Sequence, residues 1–210
     1  DTSFKCAIHS AFEACGIAGY QTQFLEKYHA ETREVGFETP EFDDTYWQQA
    51  VINANADYQL FPQPSQQLVF EDIKPVSIKK NGQSIQIDFG GIFVGGLRFS
   101  AKGKAGDIIT LRFAQELEQD GSLRYKLRAN CTYIEYFVLS GSNDVLNQFD
   151  YKAFRYAEII LPENSDIQLD EASIVLAARH YPFELKAKCK YDDPAINPIW
   201  DLCVSSLQYG

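Results

Sequence analysis

Apolar residues recur at every second position in a series of short segments between residues 84 and 178. This period places the apolar side chains of each segment on one face, as in a β-strand that has one buried side. The strands predicted in this way are 85–89, 109–113, 132–139, 154–161 and 174–178. Turn-forming residues separate them at 104–107, 120–121, 140–143 and 162–164. The pattern predicts a mainly β fold, an antiparallel β-sandwich, and it argues against a Rossmann-type fold because no helical segments alternate with the strands.

The region before these strands is less regular. Residues 23–28 alternate and are predicted to form a strand, whereas an acidic turn at 41–46 leads to Trp47, which we expect to pack in a core. Residues 61–83 contain three prolines and several glutamines, and they finish with the Asn81-Gly82 pair. Because proline cannot donate to a sheet and Asn-Gly favours a tight turn, we interpret this segment as an inter-domain linker that merges into a first hairpin.

The pattern changes again after residue 180. Residues 185–189 are predicted to form one last strand. Asn197 can cap a helix that has Pro198 at its first position, where the missing N–H has no cost. The apolar residues that follow fall on one face at helical spacing: Ile199, Trp200, Cys203, Val204 and Leu207. We therefore expect a short C-terminal helix whose apolar face needs a partner.

Charge and cysteine content exclude several classes of protein. The net charge is −10, from 19 basic and 29 acidic residues, which argues against a nucleic-acid partner because such partners are held by Lys and Arg. No apolar run approaches the ~20 residues of a membrane span. The five cysteines are odd in number and none are spaced as Cys-x-x-Cys, which argues against a disulfide scaffold or a zinc site. Cys6 and Cys15 could close a short loop, but we favour buried free thiols.

Two glycine pairs, Gly90-Gly91 and Gly95-Gly96, form the most glycine-rich stretch of the chain. They lack the Gly-x-Gly-x-x-Gly order of a dinucleotide-binding turn, and no helix is predicted after them. We interpret them as bulges or as a close backbone crossing at a sheet edge.

Three carboxylates near one turn, Glu116, Glu118 and Asp120, are the only cluster of acids with catalytic interest. Glycoside hydrolysis uses two carboxylates on opposite sides of a cleft. Because these three share one hairpin, we expect them to point to solvent.

The three histidines, His9, His29 and His180, are scattered and have no metal-ligand spacing. We expect His180, which precedes Tyr181, to pack or to form a hydrogen bond. Asn130-Cys131-Thr132 fits the acceptor pattern for N-glycosylation, and we take the match to be incidental. The sequence therefore predicts no catalytic, cofactor-binding or metal-binding residue and no cofactor.

Several motifs occur in a characteristic order: Asp88-Phe89-Gly90, then Phe154-Arg155-Tyr156, then residues 199–203 with 208–210. That order resembles the β-sandwich just before the catalytic domain of bacterial α-L-rhamnosidases, family 78 of the glycoside hydrolases, followed by the first helix of their α/α barrel. Members of the family often continue the first motif with Gln-Asn, where this chain has Gly91 and Ile92. A polar interaction that the Asn would make is therefore lost at this hairpin.

The resemblance implies a concanavalin-like or jelly-roll sandwich within a four-part chain. The expected parts are the end of a first jelly-roll-like module (1–60), a Pro/Gln linker and first turn (61–83), the β-sandwich domain (84–180), and a last strand with the first helix of a truncated α/α barrel (181–210). The phrase at residues 42–47, Phe-Asp-Asp-x-x-Trp, is similar to a signature near the end of jelly-roll sugar-binding modules.

The resemblance also implies a parent enzyme that releases terminal L-rhamnose by inverting hydrolysis, with two barrel glutamates that map to no residue here. We therefore expect a non-catalytic fragment. Its expected partners are a rhamnose-containing glycan reached through the parent enzyme, the catalytic barrel, and a second copy in a homodimer, but neither nucleic acid nor membrane. A stand-alone carbohydrate-binding module and a structural or dimerisation spacer remain as alternatives. Free cysteines favour the bacterial cytoplasm.

Overall fold

The computed structural model describes residues 3–19, 23–52, 59–128 and 131–209, which form twelve strands and two helical segments. The strands are β1 (Lys5–Cys6), β2 (Phe12–Gly19), β3 (Gln23–His29), β4 (Gln48–Gln49), β5 (Val69–Ile73), β6 (Ser77–Asn81), β7 (Ser84–Lys102), β8 (Ile108–Ala114), β9 (Ile134–Val138), β10 (Asn143–Asn147), β11 (Lys152–Ile160) and β12 (Gln168–His180). A 3₁₀ turn spans Ala30–Thr32, and the helix α1 spans Ile196–Tyr209.

Ten of these strands belong to one hydrogen-bonded sheet. Its order is β2-β3-β9-β8-β11-β7-β12-β5, with β6 and β10 as further neighbours of β7, while β1 and β4 form a separate pair. The pairs are antiparallel except β3 and β9, which run parallel. The predicted mainly β sandwich with a short C-terminal helix is confirmed.

The long strand β7 joins the two layers of the sandwich. Its first half pairs with β6 and β11, and its second half pairs with β10 and β12. Between the halves the register with β11 shifts at Phe154 and Tyr156, and Gly90 has a φ of 83°. Such a bulge bends a strand and increases its twist, so one strand can serve both layers. The predicted bulge at Gly90-Gly91 is confirmed, although β7 lies inside the sheet and not at its edge.

The alternation along β7 and its neighbours produces one continuous core. The largest side chains that are fully buried in it are Phe99, Phe113, Phe137, Phe154, Leu97 and Leu111. Rings of Phe99 and Phe137, which lie on strands that do not pair, meet edge to face with their centroids 5.8 Å apart. Because aromatic pairs of this kind add to the burial of apolar area, this contact holds the two layers together.

Outside the core, the structure corrects some predictions and leaves others open. No strand forms over residues 185–189, where Leu185 is 47% exposed, because this segment has no neighbouring strand to pair with. Helix α1 begins at Ile196, so Asn197 lies inside it, and the Asn197 side chain exchanges hydrogen bonds with the backbone of Tyr191. The predicted strand at 23–28 is confirmed as β3.

The division of the chain at residues 60, 83 and 180 stays a prediction. Two parts besides residues 84–180 contribute strands to the common sheet. The proposed linker contains β5 and β6, which pair with β12 and β7. From the first part, β3 pairs with β9.

Gly95 marks the closest approach between β7 and β12. A methyl group on this residue would overlap the carbonyl oxygen of Ala177 in the neighbouring strand. We expect Gly95→Ala to lower the free energy of unfolding by about 2–3 kcal/mol, because overpacked backbone must move apart. Urea unfolding measures the effect.

The matched control is Gly91→Ala. Its added methyl would lie 3.4 Å from the Phe93 ring, an ordinary contact. Equal unfolding midpoints for the two variants would contradict the role given to Gly95.

Candidate functional site

A polar depression of about 230 Å³ lies over β6, β7 and β11. The residues that line it are Ser77, Lys79, Gln86, Asp88, Leu117 and Tyr156. Five of the six carry polar groups, and they come from three strands and one hairpin. The depression is the candidate binding site of the described residues.

The strand period explains why these side chains lie together. Ile85, Ile87 and Phe89 of β7 face the core, so Gln86 and Asp88 between them face outward. Cross-strand register then builds two rows across the sheet. The first row is Ser77, Asp88 and Tyr156, and the second is Lys79, Gln86 and Glu158.

Asp88 and Arg155 form a two-pronged ion pair at the edge of the depression. Arg155 donates from Nε to Asp88 Oδ1 at 2.8 Å and from Nη2 to Oδ2 at 2.9 Å. The backbone N–H of Gly90 also donates to Oδ1, at 2.7 Å. These bonds from Arg155, followed by that from Gly90, hold the pKa of Asp88 below its usual value against the opposing effect of burial. Asp88 is therefore ionised at neutral pH and cannot serve as a proton donor there.

The bulge in β11 helps to aim Arg155. Its guanidinium carbon lies 4.8 Å from the centre of the Tyr156 ring, a cation–π distance. Asp88 in turn raises the pKa of Arg155 above its already high value by accepting its hydrogen bonds. The charge of Arg155 is thereby held in place beside the depression.

The far wall of the depression is the hairpin that follows β8. Gln86 donates from Nε2 to the carbonyl oxygen of Gly121 at 2.9 Å, and Leu117 pairs with Leu123 across the hairpin. Glu158, opposite Gln86 on β11, accepts hydrogen bonds from Ser84 at 2.6 Å and from Arg112 at 3.2 Å. The hairpin wall and the residue next to Gln86 are thus held by bonds that a ligand need not make.

The chemistry that the depression offers is binding by hydrogen bonds and charge. Hydrolysis of a glycoside takes two carboxylates on opposite sides of the scissile bond. Asp88 is the one carboxylate in the lining, and Arg155 already engages both of its oxygens.

A second group of charges is closed to solvent at the end of the core. Lys152 and Glu135 form an ion pair of 2.6 Å, and their side chains are 2% and 1% exposed. The other oxygen of Glu135 accepts a hydrogen bond from Gln148. Nearby, burial raises the pKa of Glu26, whose carboxylate accepts hydrogen bonds from the backbone of residues 149 and 150. These groups tie residues 148–150 to β3 and β9.

The three carboxylates that sequence analysis singled out are at the surface. Arg124 forms ion pairs with Glu116 and, at 3.9 Å, with Glu118, whose side chains are more than half exposed. Asp120 accepts hydrogen bonds from the backbone N–H and hydroxyl of Ser122, and these lower its pKa. They close their own hairpin and do not oppose one another across a cleft.

The histidines lie in different contacts. His29 Nε2 lies 2.9 Å from a carboxylate oxygen of Glu13. The ring of His9 packs edge to face on Phe12, with centroids 5.1 Å apart. His180 is mostly buried, with its Nδ1 2.7 Å from the carbonyl oxygen of Tyr181, as expected.

Trp47 and the cysteines depart from the expected burial. Trp47 is half-buried against Phe42, with ring centroids 5.6 Å apart, and it lies outside the core cluster. All five cysteines are free, as predicted, but Cys6 and Cys203 are exposed. The expectation of a buried thiol is wrong for Cys6, because β1 lies apart from the main sheet, whereas Cys15 is partly buried.

Within the ranges that the structure describes, no three His, Cys, Asp or Glu residues gather as a metal site would require. Over the same ranges no helix is long and apolar enough to cross a membrane. The acceptor asparagine of the glycosylation pattern, Asn130, lies outside the described residues.

Sequence reasoning missed the depression but held a signal for it. The two motifs Asp88-Phe89-Gly90 and Phe154-Arg155-Tyr156 meet in space: Asp88 pairs with Arg155, and the rings of Phe89 and Phe154 lie 5.9 Å apart. Motifs that are far apart in sequence and complementary in charge and ring content could have indicated this contact.

The sandwich is similar to part of known proteins. A family model, the bacterial alpha-L-rhamnosidase concanavalin-like domain, matches residues 78–175. An alpha-L-rhamnosidase of Streptomyces avermitilis is 27% identical over 146 residues, which are 64% of this chain and 14% of that protein.

Solved structures share the fold. An alpha-L-rhamnosidase of Dictyoglomus thermophilum matches with a TM-score of 0.77 and 20% identity over 95% of this chain and 22% of that one. The Streptomyces avermitilis alpha-L-rhamnosidase complexed with L-rhamnose matches with a TM-score of 0.73 and 21% identity, over 94% of this chain and 19% of that one. The present chain therefore spans about a fifth of the length of these solved proteins.

The ion pair of Asp88 predicts a pH dependence of stability. Because the folded pKa of Asp88 is lowered, its contribution is present above its usual pKa and is lost as pH falls through the folded value. We expect Asp88→Asn to destabilise the chain by about 1–2 kcal/mol at pH 7 and by much less near pH 2. Urea unfolding at both pH values measures the difference.

The control is Asp192→Asn, at an exposed position of the 191–195 turn. With this change, the free energy of unfolding should fall at acid pH by the same amount as in the unchanged chain. An Asp88→Asn penalty of the same size at both pH values would refute the assignment.

Proposed function

We propose, from the match of residues 78–175 to the concanavalin-like domain of bacterial alpha-L-rhamnosidases, that the chain is a non-catalytic sandwich portion of such an enzyme. The parent enzyme would release terminal L-rhamnose from glycans or glycosides by inverting hydrolysis. The sandwich would support the catalytic barrel, which would receive α1 as its first helix.

The exposed apolar stripe of α1 carries this proposal. Ile199, Leu202 and Leu207 lie at helical spacing, and 55%, 66% and 72% of their respective surfaces are exposed. Cys203 on the same stripe is exposed as well. A 14-residue helix with no buried residue gains little stability from packing, and such a patch marks an interaction surface. Further helices of a barrel are the occupant that fits this stripe.

The last residues of α1 already fix its position on the sandwich. The ring of Tyr209 packs edge to face on Phe93 and on His180, with centroids 5.1 and 5.2 Å away. Its hydroxyl donates to a carboxylate oxygen of Glu71 at 3.3 Å, and Gln208 reaches His180. The sandwich thus holds one end of the helix and leaves its stripe open, as a support for a neighbouring domain would.

The polar depression over β7 favours a second candidate, a carbohydrate-binding role for the sandwich itself. Its hydroxyl, amide and phenol groups match the donors and acceptors of a sugar ring. A spacer or dimerisation role would need neither the depression nor its fixed walls.

A hydrolysis assay tests the proposed division of labour. We expect the 210-residue chain to release no p-nitrophenol from p-nitrophenyl α-L-rhamnoside, because the two barrel glutamates would lie outside it. A longer form that continues beyond residue 210 should release it. Turnover by the short chain would refute the non-catalytic assignment, and a longer form that cleaves other glycosides but not this one would refute the rhamnosidase assignment.

A charged residue introduced into the apolar stripe of α1 tests whether a barrel domain packs on it. Leu207→Glu should change the free energy of unfolding of the 210-residue chain by no more than about 0.5 kcal/mol, since Leu207 is exposed there. In a longer form with the barrel attached, the same change should cost about 3 kcal/mol by burying a charge without a partner. Ser205→Glu, at an exposed position off the stripe, is the matched control and should cost little in both forms. Equal effects of Leu207→Glu in both forms would show that nothing covers the stripe.

A further inference from the structure

Two charged residues line the depression, Lys79 and Asp88. The row of Lys79 also holds Glu158, and Arg155 and Arg112 lie beside the two rows. Each carboxylate faces an arginine: Asp88 pairs with Arg155, and Glu158 pairs with Arg112. Lys79 is the cation left over.

Lys79 stands apart from the neighbouring lysine of the same strand. Lys80 points to the other side of β6 and forms an ion pair with Glu171. Lys79 has no ion pair within 4 Å among the described residues, although it lines the depression and lies near enough to Asp88 to lower the pKa of that carboxyl. The ammonium group of Lys79 is therefore the charge in the lining that a ligand can engage. Such a group attracts an anion.

The remaining lining suits a sugar ring. Ser77, Gln86 and Tyr156 supply a hydroxyl, an amide and a phenol, which can both donate and accept hydrogen bonds. Leu117 and the face of the Tyr156 ring offer apolar surface for the C–H groups of a pyranose. The volume of about 230 Å³ is smaller than the ~300–1,000 Å³ of pockets for drug-sized ligands, so it suits one small polar ring.

The walls of the depression are set before a ligand arrives. Arg155 holds Asp88, Gln86 holds the hairpin at Gly121, and Arg112 with Ser84 holds Glu158. A ligand therefore has few side chains to order, apart from Lys79, and preorganisation of this kind raises affinity.

From these observations we propose that the depression binds a monosaccharide unit that carries a carboxylate, a uronic acid, with the carboxylate on Lys79 and the hydroxyls along the Ser77–Asp88–Tyr156 row. The site is distinct from hydrolysis and does not depend on the support role of the sandwich. It would let the protein hold acidic glycans whose neutral parts are processed elsewhere.

The test is a titration of the 210-residue chain, followed by amide NMR shifts, with D-galacturonate, D-galactose, L-rhamnose and inorganic phosphate as separate probes. Galacturonate should shift residues 77–88 and 156 and should bind at least tenfold more tightly than galactose or rhamnose. Because the attraction is ionic, 0.5 M salt should weaken it severalfold.

Two lysine variants make the outcome decisive. Lys79→Gln should reduce galacturonate affinity about tenfold, which corresponds to about 1.4 kcal/mol. Lys79→Arg should keep most of it. Lys102→Gln is the matched control, an exposed lysine at the far end of β7 that should leave affinity unchanged.

Tyr156→Phe tests the row of Ser77, Asp88 and Tyr156 without changing the charge of the depression. Loss of the phenol hydroxyl should weaken galacturonate binding severalfold while the fold, followed by the same spectrum, stays intact. Equal binding of galactose and galacturonate, equal effects of the two Lys→Gln changes, or shifts that map away from β6, β7 and β11 would overturn the proposal. Phosphate that binds as tightly as galacturonate would overturn the choice of a sugar.

Discussion

The structure depends on one strand that belongs to both layers of the sandwich. β7 can do so because its middle bends at a bulge and because Gly95 and Gly96 let β12 and residues 148–150 approach its backbone closely. A side chain at Gly95 would push β12 away, and β12 carries β5 and the contacts that hold the end of α1. The packing of the core, the rows of residues that line the depression and the anchoring of the helix all depend on the passage of β7 from one layer to the other.

The same bend explains why two short motifs of the chain, Asp88-Phe89-Gly90 and Phe154-Arg155-Tyr156, meet in space. Asp88 begins the bulge in β7 and Arg155 sits in the matching irregularity of β11, 67 residues later in the chain. Their ion pair and the Phe89–Phe154 ring contact fix the register on each side of a place where regular hydrogen bonding lapses. The motifs therefore record a structural need, and a family resemblance built on them concerns the fold before it concerns catalysis.

The period-two alternation predicted the strands of the core well, because a strand with one buried face has an apolar residue at every second position. It could not show that β3 pairs in parallel with β9, since pairing partners far apart in the chain leave no such trace. Residues 185–189 alternate as a strand would but find no neighbour, and 69–81 look like a linker yet pair with β12 and β7. The depression escaped prediction for the same reason: Lys79, Gln86 and Tyr156 meet only through lateral register.

The parallel pairing of β3 with β9 has a consequence for biosynthesis. β2 and β3 lie next to each other in sequence but join the sheet only through a strand that begins at Ile134. On the ribosome, the N-terminal hairpin must wait until more than half of the described chain has emerged before its partner exists, and pairings of this range are slow to form. During that interval Leu25, which the folded protein buries almost completely, remains exposed to solvent.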